Sequence, residues 1–179
     1  MDITEIILKQ HDQQRRMFAQ LEEYPRDDHE GLEALWARLE ILLETHAEAE
    51  ELYFYPELLK LGTGAADADS VQEEVEDAIH DHNEIREAIR AVARCKAGSD
   101  AWWRHLTEAN VANSDHMGEE ERQDLADFRR HASLELRHDI AVKFLRYEAL
   151  KAAKGVASID KDPALYVEDP DKAMHDVEG

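Results

Sequence analysis

The sequence has few of the residues that interrupt helices or cross-link chains. It holds 7 glycines and 4 prolines in 179 residues, which excludes collagen-like proteins and the Pro/Gly-rich disordered class. Its single cysteine, Cys95, cannot form an internal disulfide and is typical of a reducing compartment. We interpret Cys95 as a small apolar residue near a helix end rather than as a reactive thiol.

Basic residues and long apolar runs are also scarce. There are 21 Lys and Arg against 42 Asp and Glu, so the formal net charge is −21. A surface of this charge repels nucleic acid and anionic lipid, and we expect neither as a partner. No stretch approaches the roughly 20 apolar residues of a membrane span, and the first residues lack the basic and apolar regions of a signal peptide. We therefore predict a cytoplasmic protein.

Helical periodicity is what the sequence does contain. Apolar residues recur every three or four positions along most of the chain, whereas alternation with a period of two is not convincing anywhere. Five helices are predicted, over residues 3–23, 30–61 with a kink at Pro56, 70–98, from 99 or 100 through at least 120, and 133–154. The third opens with a capping box formed by Ser70 and Glu73.

Four long helices with short connectors predict an all-α fold, an up-down-up-down antiparallel four-helix bundle. The helix over 133–154 is additional to this bundle, and we assign both to one domain over residues 1–155. Residues 156–179 contain seven acidic residues against two lysines. This composition predicts an acidic, disordered tail.

The apolar faces of the four bundle helices are interrupted by polar residues in a repeated pattern. His46 follows His11 by 35 residues and His116 follows His82 by 34. In each half, the second histidine is followed four residues later by a glutamate, and residues four apart lie on one face of a helix. Six polar side chains are therefore predicted to converge in the core: His11, His46, Glu50, His82, His116 and Glu120.

Metal binding is the strongest interpretation of these six residues. A lone core histidine is usually structural, but four histidines with two carboxylates would cost several kcal/mol per ionised group, in a domain of only ~5–15 kcal/mol stability. Buried charges persist when they are paired or bind a metal. Salt bridges alone would need Arg or Lys on the same helix faces, and we find none there.

The donor types narrow the choice of metal. No cysteine is available as a ligand, which disfavours structural zinc and iron–sulfur clusters. Imidazole and carboxylate together suit iron or manganese, and two histidines with one carboxylate form the donor set of non-haem iron sites. Two such sets predict a dinuclear centre, with Glu50 and Glu120 placed to bridge.

The order and spacing of the six residues resemble the hemerythrin-like (HHE) family, in particular its mycobacterial and actinobacterial members. The series His11, His46-x-x-x-Glu50, His82, His116-x-x-x-Glu120 matches the ligand order of that family over about residues 3–130. The resemblance implies two non-haem iron ions joined by an oxo or hydroxo bridge inside a four-helix bundle.

Two departures separate the sequence from the oxygen-carrying members of that family. Those proteins have a histidine where Ala78 stands, one turn before His82. His80 cannot replace it, because two residues turn about 200° around the helix axis, and we expect His80 to be exposed. Their last carboxylate lies five residues after its histidine, whereas Glu120 lies at four, which leaves Glu121 as a minor competitor. Reversible oxygen carriage is therefore not the first expectation.

Tyr53 is a further candidate, because it lies seven residues after His46 and is expected to share the face of the site. An aromatic core residue and a phenol acting as ligand or proton donor are equally good interpretations. The predicted function, taken from the resemblance, is catalase-like disproportionation of hydrogen peroxide. The alternatives are a protein that binds or senses dioxygen, nitric oxide or iron without turnover, and, least favoured, a purely structural metal site.

Overall fold

The structure is a computed structural model that describes residues 1–65, 70–154 and 160–175. Every regular element in these residues is a helix, which confirms the predicted all-α class. The helices are α1 (Ile3–Glu23), α2 (His29–Ala49), a π-helical turn (Glu50–Phe54), α3 (Tyr55–Leu61), α4 (Val71–Ala93), α5 (Asp100–Arg122), α6 (Asp124–His131), α7 (Leu134–Ala152), α8 (Pro163–Glu168) and α9 (Pro170–His175). Residues 66–69 of the predicted connector over 62–70, and the domain boundary at 155 and 156, lie outside the described residues.

Side-chain caps determine where the long helices begin. Ser70 accepts a hydrogen bond from the backbone N–H of Glu73 at 3.2 Å, and Ser99 accepts one from that of Trp102 at 3.2 Å. Asp2, Asp28 and Ser133 cap α1, α2 and α7 in the same way. Each cap satisfies an N–H group that has no partner within the helix, so these starts are local properties of the sequence.

The second predicted helix is not a continuous α-helix with a kink at Pro56. Pro56 lies in the first turn of α3, where the missing N–H of proline is tolerated. The irregularity comes earlier, in the π-helical turn over Glu50–Phe54, where the N–H of Tyr55 bonds to the carbonyl of Glu50. A π-helix closes i→i+5 bonds and so adds one residue to a turn, which rotates every later side chain relative to an unbroken α-helix.

The core consists of two apolar clusters that lie on either side of the polar residues along the helices. The first apolar cluster includes Ile7, Ala49, Phe54, Tyr55, Leu58, Ile79, Phe128 and Phe144, and the second includes Phe18, Leu32, Leu39, Leu43, Ile85, Ile89, Trp102 and Ala109. Along α1, His11 lies between Ile7 and Phe18, and along α4, His82 lies between Ile79 and Ile85. The polar residues therefore occupy the middle of the core.

The helix predicted over residues 133–154 is present as α7. It packs against α1 and α2 and buries Ile140, Ala141 and Phe144. Contacts also join α1 with α2 and α4 with α5. The up-down-up-down order of the four bundle helices stays a prediction. Among the helices of the described residues, none combines the length and the apolar character needed to cross a membrane.

The acidic tail differs from the expectation of disorder over residues 160–175. Two short helices, α8 and α9, lie there, and α8 packs against α4. Tyr166 has no exposed surface, and Ala173 and Lys161 are 5% and 6% exposed. The prediction of disorder considered only the number of acidic residues in the segment. It did not consider that a few apolar residues and one lysine are buried against the bundle.

Candidate metal centre

The six predicted side chains come together in the middle of the core. His11 is on α1, His46 on α2 and Glu50 in the π-helical turn, while His82 is on α4 and both His116 and Glu120 are on α5. None of them is more than 4% exposed. The repeat in the sequence thus brings residues that are up to 109 positions apart into one buried cluster.

The donor atoms form two groups that share one carboxylate. One group contains His11, His46, Glu50 and Glu120, and the other contains Glu50, His82 and His116. Within each group the candidate ligand atoms all lie within 4.8 Å of one another. Glu50 belongs to both groups, because its Oε1 lies 2.9 Å from Nε2 of His46 and its Oε2 lies 3.4 Å from Nε2 of His82.

Three histidines of the cluster hydrogen-bond to an acceptor through their outer ring nitrogen, and the fourth has a carboxylate nearby. The Nδ1 atoms of His11, His46 and His82 lie 3.0, 2.6 and 2.9 Å from their acceptor oxygens, and that of His116 lies 3.5 Å from a carboxylate oxygen. The acceptors, in the same order, are Glu121, Gln10, Glu51 and Asp81. An acceptor at Nδ1 places the hydrogen of the neutral ring there, so the lone pair of Nε2 points inward.

The inward atoms make no hydrogen bond among the described residues, but they face one another closely. These atoms are Nε2 of His11, Nε2 of His46, both oxygens of Glu50 and Oε2 of Glu120. Nε2 of His11 lies 3.1 Å from Oε2 of Glu120, and Nε2 of His46 lies 2.9 Å from Oε1 of Glu50. The Nε2 atoms of His82 and His116 lie 3.0 Å apart, although the acceptors at Nδ1 leave a lone pair on each. Unpaired buried acceptors cost free energy, and a cation between them removes this cost, so the donor set fits a metal.

The electrostatics of the cluster also favour a bound cation. Burial raises the pKa of Glu50, and the neighbouring carboxylate of Glu120 raises it further. Burial acts to raise the pKa of Glu120 as well, but His11 and the other histidines hold it at about 2. Burial lowers the pKa of His46, and burial together with His116 lowers the pKa of His82 to about 4. Neutral His46 and His82 beside an ionised Glu120 are in the states that metal ligands require. Burial acts to lower the pKa of His11, but Glu120 and Glu121 raise it, and Glu50 would release its proton on binding a cation.

The tyrosine that reaches the cluster is Tyr55 and not Tyr53. The Tyr55 hydroxyl donates to Oε1 of Glu120 at 3.1 Å and is fully buried, whereas Tyr53 lies against the ring of Tyr147 with centroids 5.9 Å apart. The seven-residue spacing from His46 assumed a regular α-helix, and the π-helical turn between them changes the register. Of the two interpretations of Tyr53, this contact favours the aromatic core residue. No signal in the sequence marked the turn.

A buried ion-pair network next to the cluster was not predicted. Glu51 is fully buried, accepts from Arg86 at 2.7 Å, and also bonds to His82. Arg86 is 1% exposed and lies four residues after His82. Its burial could have been predicted from this spacing, which places both residues on one helix face. The expectation that no Arg or Lys reaches the buried faces was wrong for this network. Among the described residues, Glu50 and Glu120 form ion pairs with histidines and with no Arg or Lys.

Two further expectations concern residues near the cluster. Glu121, the minor competitor for Glu120, bonds instead to the outer nitrogen of His11 and to Arg15 at 2.8 Å. The side chain of His80 is 63% exposed, as expected. Ala78 is buried in the first apolar cluster and is 5% exposed, so this position provides no donor atom.

A comparison with protein families identifies a domain that covers most of the chain. The model of the hemerythrin HHE cation-binding domain matches residues 2–128, which include all six clustered side chains. No curated protein and no solved structure matches the chain. The matched range ends before α7, α8 and α9.

Proposed function

The chain belongs to the hemerythrin HHE cation-binding domain family, and from this premise we propose that it is a non-haem di-iron protein that disproportionates hydrogen peroxide. The observation that carries the proposal is the pair of donor groups that share Glu50, with histidine Nε2 atoms turned inward. The ligands would be His11, His46, Glu50, His82, His116 and Glu120. The closer likeness to mycobacterial and actinobacterial members is part of the same proposal.

The number of donors supports an open centre. With Glu50 shared between two ions and Glu120 on one of them, the six side chains would supply about seven of the roughly twelve positions around two octahedral ions, and an oxo or hydroxo bridge would supply two more. About three positions would then be left for a small ligand such as peroxide, dioxygen or nitric oxide. A structural site would be closed, so the donor count favours a site that takes a ligand.

Ala78 supports turnover over oxygen carriage. It lies one turn before His82 on α4, and its methyl group cannot coordinate an ion. A binding position remains where a ligating side chain would otherwise stand. Two bound iron ions would supply the two-electron change by which one peroxide is oxidised to dioxygen and a second is reduced to two waters.

The buried residues around the cluster would exclude water and would hold the protons that the reaction needs at the site. Oxidation of one peroxide releases two protons, and reduction of the second consumes two, so no net proton is exchanged with solvent. The buried hydroxyl of Tyr55 donates to Glu120, and burial raises the pKa of Tyr55, so the phenol keeps its proton. It can therefore hold Glu120 in place and offer a hydrogen bond at the site.

Oxygen release from peroxide tests this function. Iron-loaded protein should release one dioxygen for every two peroxides over many turnovers, without an organic reductant, as measured with an oxygen electrode. The matched control is His116→Ala, which removes one ligand and should abolish the release. A stable coloured adduct of the reduced protein with dioxygen, with no release from peroxide, would favour instead a protein that binds dioxygen, nitric oxide or iron.

A further inference from the structure

The C-terminal segment (residues 160–173) is attached to α4 by specific polar contacts. Asp160 accepts two hydrogen bonds from Arg90, at 3.1 and 2.9 Å. The backbone of Lys161 pairs with the side-chain amide of Asn83, through bonds of 3.1 and 2.7 Å. Asn83 is adjacent to His82 in the sequence, so the segment is held against the part of α4 that carries a proposed ligand.

Lys161 turns its side chain into the molecule and not into solvent. Its Nζ lies 2.9 Å from Oε2 of Glu51, and the two side chains are 2% and 0% exposed. Lysine is almost never buried unless it is paired, and a buried charge needs several hydrogen bonds or a close counter-ion. The location of Lys161 is therefore determined by Glu51.

Glu51 connects this lysine to the cluster. Its other oxygen, Oε1, bonds to Nδ1 of His82 at 2.9 Å and to Arg86 at 2.7 Å. The Tyr166 hydroxyl of the same C-terminal segment donates to the backbone carbonyl of Glu51. Both carboxylate oxygens and the backbone carbonyl of Glu51 are thus fixed by polar contacts. The carboxylate in turn orients the ring of His82.

We infer that Lys161 is a positioning residue of the metal centre, which fixes Glu51 and through it His82, and that the C-terminal segment completes the centre from outside the matched domain. This inference rests on the proposed binding of iron. A partner on the outer nitrogen of a ligating histidine sets the orientation and basicity of the ring, and its loss typically weakens metal affinity 10–100-fold. The effect should fall on the ion held by His82 and His116.

The test compares Lys161→Met with Lys161→Arg and with Lys172→Met. The last variant loses the same charge from an exposed residue of the same segment. Iron per chain, the Mössbauer spectrum and the rate of iron release to a chelator are measured for each. Lys161→Met should release one of two irons about tenfold faster and alter one of two iron signals. Lys161→Arg should restore most of the wild-type behaviour, and Lys172→Met should match wild type.

Three results would overturn the inference. If wild type holds two irons and Lys161→Met is indistinguishable from it, Lys161 does not position the centre. If Lys161→Met weakens both irons equally, its role is general stability and not the orientation of His82. Wild-type protein that binds no iron would overturn the proposed function and this inference with it.

Discussion

At the scale of single residues, the hydrogen bond from Tyr55 to Glu120 is the contact closest to the proposed chemistry. Both side chains are buried, so water cannot replace the hydroxyl if it is removed. A hydrogen bond to a charged group contributes about 1.5–3 kcal/mol to stability. Tyr55 therefore stabilises the fold and also positions Glu120. The first effect is measured as the free energy of unfolding and the second as peroxide turnover.

Separate substitutions of Tyr55 and Tyr53 test which of the two tyrosines supports the chemistry of the site. Tyr55→Phe should keep iron but reduce peroxide turnover by about tenfold or more, because Glu120 loses its donor. The free energy of unfolding of the metal-free protein should fall by about 1–3 kcal/mol. Tyr53→Phe is the control and should leave turnover within about twofold. A larger loss in Tyr53→Phe than in Tyr55→Phe would contradict the geometry.

The residues that could be predicted from the sequence are those that follow regular periodicity. His116 and Glu120 are four apart on α5, and His46 and Glu50 are four apart where α2 meets the first residue of the π-helical turn. The structure brings these four residues together with His11 and His82. Tyr55 and Glu51 could not be predicted, because both lie in or after a π-helical turn that carries no sequence signal.

At the scale of helices, α7 covers the cluster on the side of α1 and α2. Phe144 lies edge-on to the ring of His46 at 5.9 Å between centroids. Glu148 accepts from Gln10 at 2.8 Å, and the oxygen of Gln10 in turn accepts from His46. Burial raises the pKa of Glu148 to about 7. The additional helix α7 therefore contributes packing and hydrogen bonds around the site.

The raised pKa of Glu148 predicts a pH dependence of stability for the metal-free protein. A carboxyl group with a pKa of about 7 when folded and 4.5 when unfolded binds its proton more tightly in the folded state. Its contribution is fully present below pH 4.5 and is lost as the pH rises through 7. Glu148→Gln should therefore gain stability relative to wild type between pH 4.5 and 8, by up to about 3 kcal/mol.

Urea unfolding at pH 5 and pH 8 measures this difference. Glu33→Gln is the control, since Glu33 is exposed on α2, and its difference from wild type should not change with pH. A Glu148→Gln variant whose difference from wild type stays constant between the two pH values would show that Glu148 is not desolvated as the structure has it.

The boundaries of the long helices could be predicted because their caps are local, as at Ser70, Ser99 and Ser133. The ordered structure of the C-terminal segment could not be predicted. Its acidic composition predicts disorder, but Lys161 and Tyr166 bind to Glu51, and that contact depends on residues more than 100 positions away.

At the scale of the whole molecule, the fold places a polar cluster between two apolar clusters. Such a cluster is costly without a cation, and a net charge of −21 attracts cations to the surface. An ion that binds the folded state and not the unfolded chain stabilises the fold. Metal binding and stability should therefore be linked in this protein.

The number of irons per chain tests the central claim most directly. Metal analysis of the iron-loaded protein should give about two irons per chain, with an ultraviolet absorption shoulder from the bridge. His46→Ala and His116→Ala should each lose much of this iron, while His80→Ala, an exposed histidine, should keep it. Wild-type protein without iron, or full retention of two irons in both His46→Ala and His116→Ala, would contradict the account.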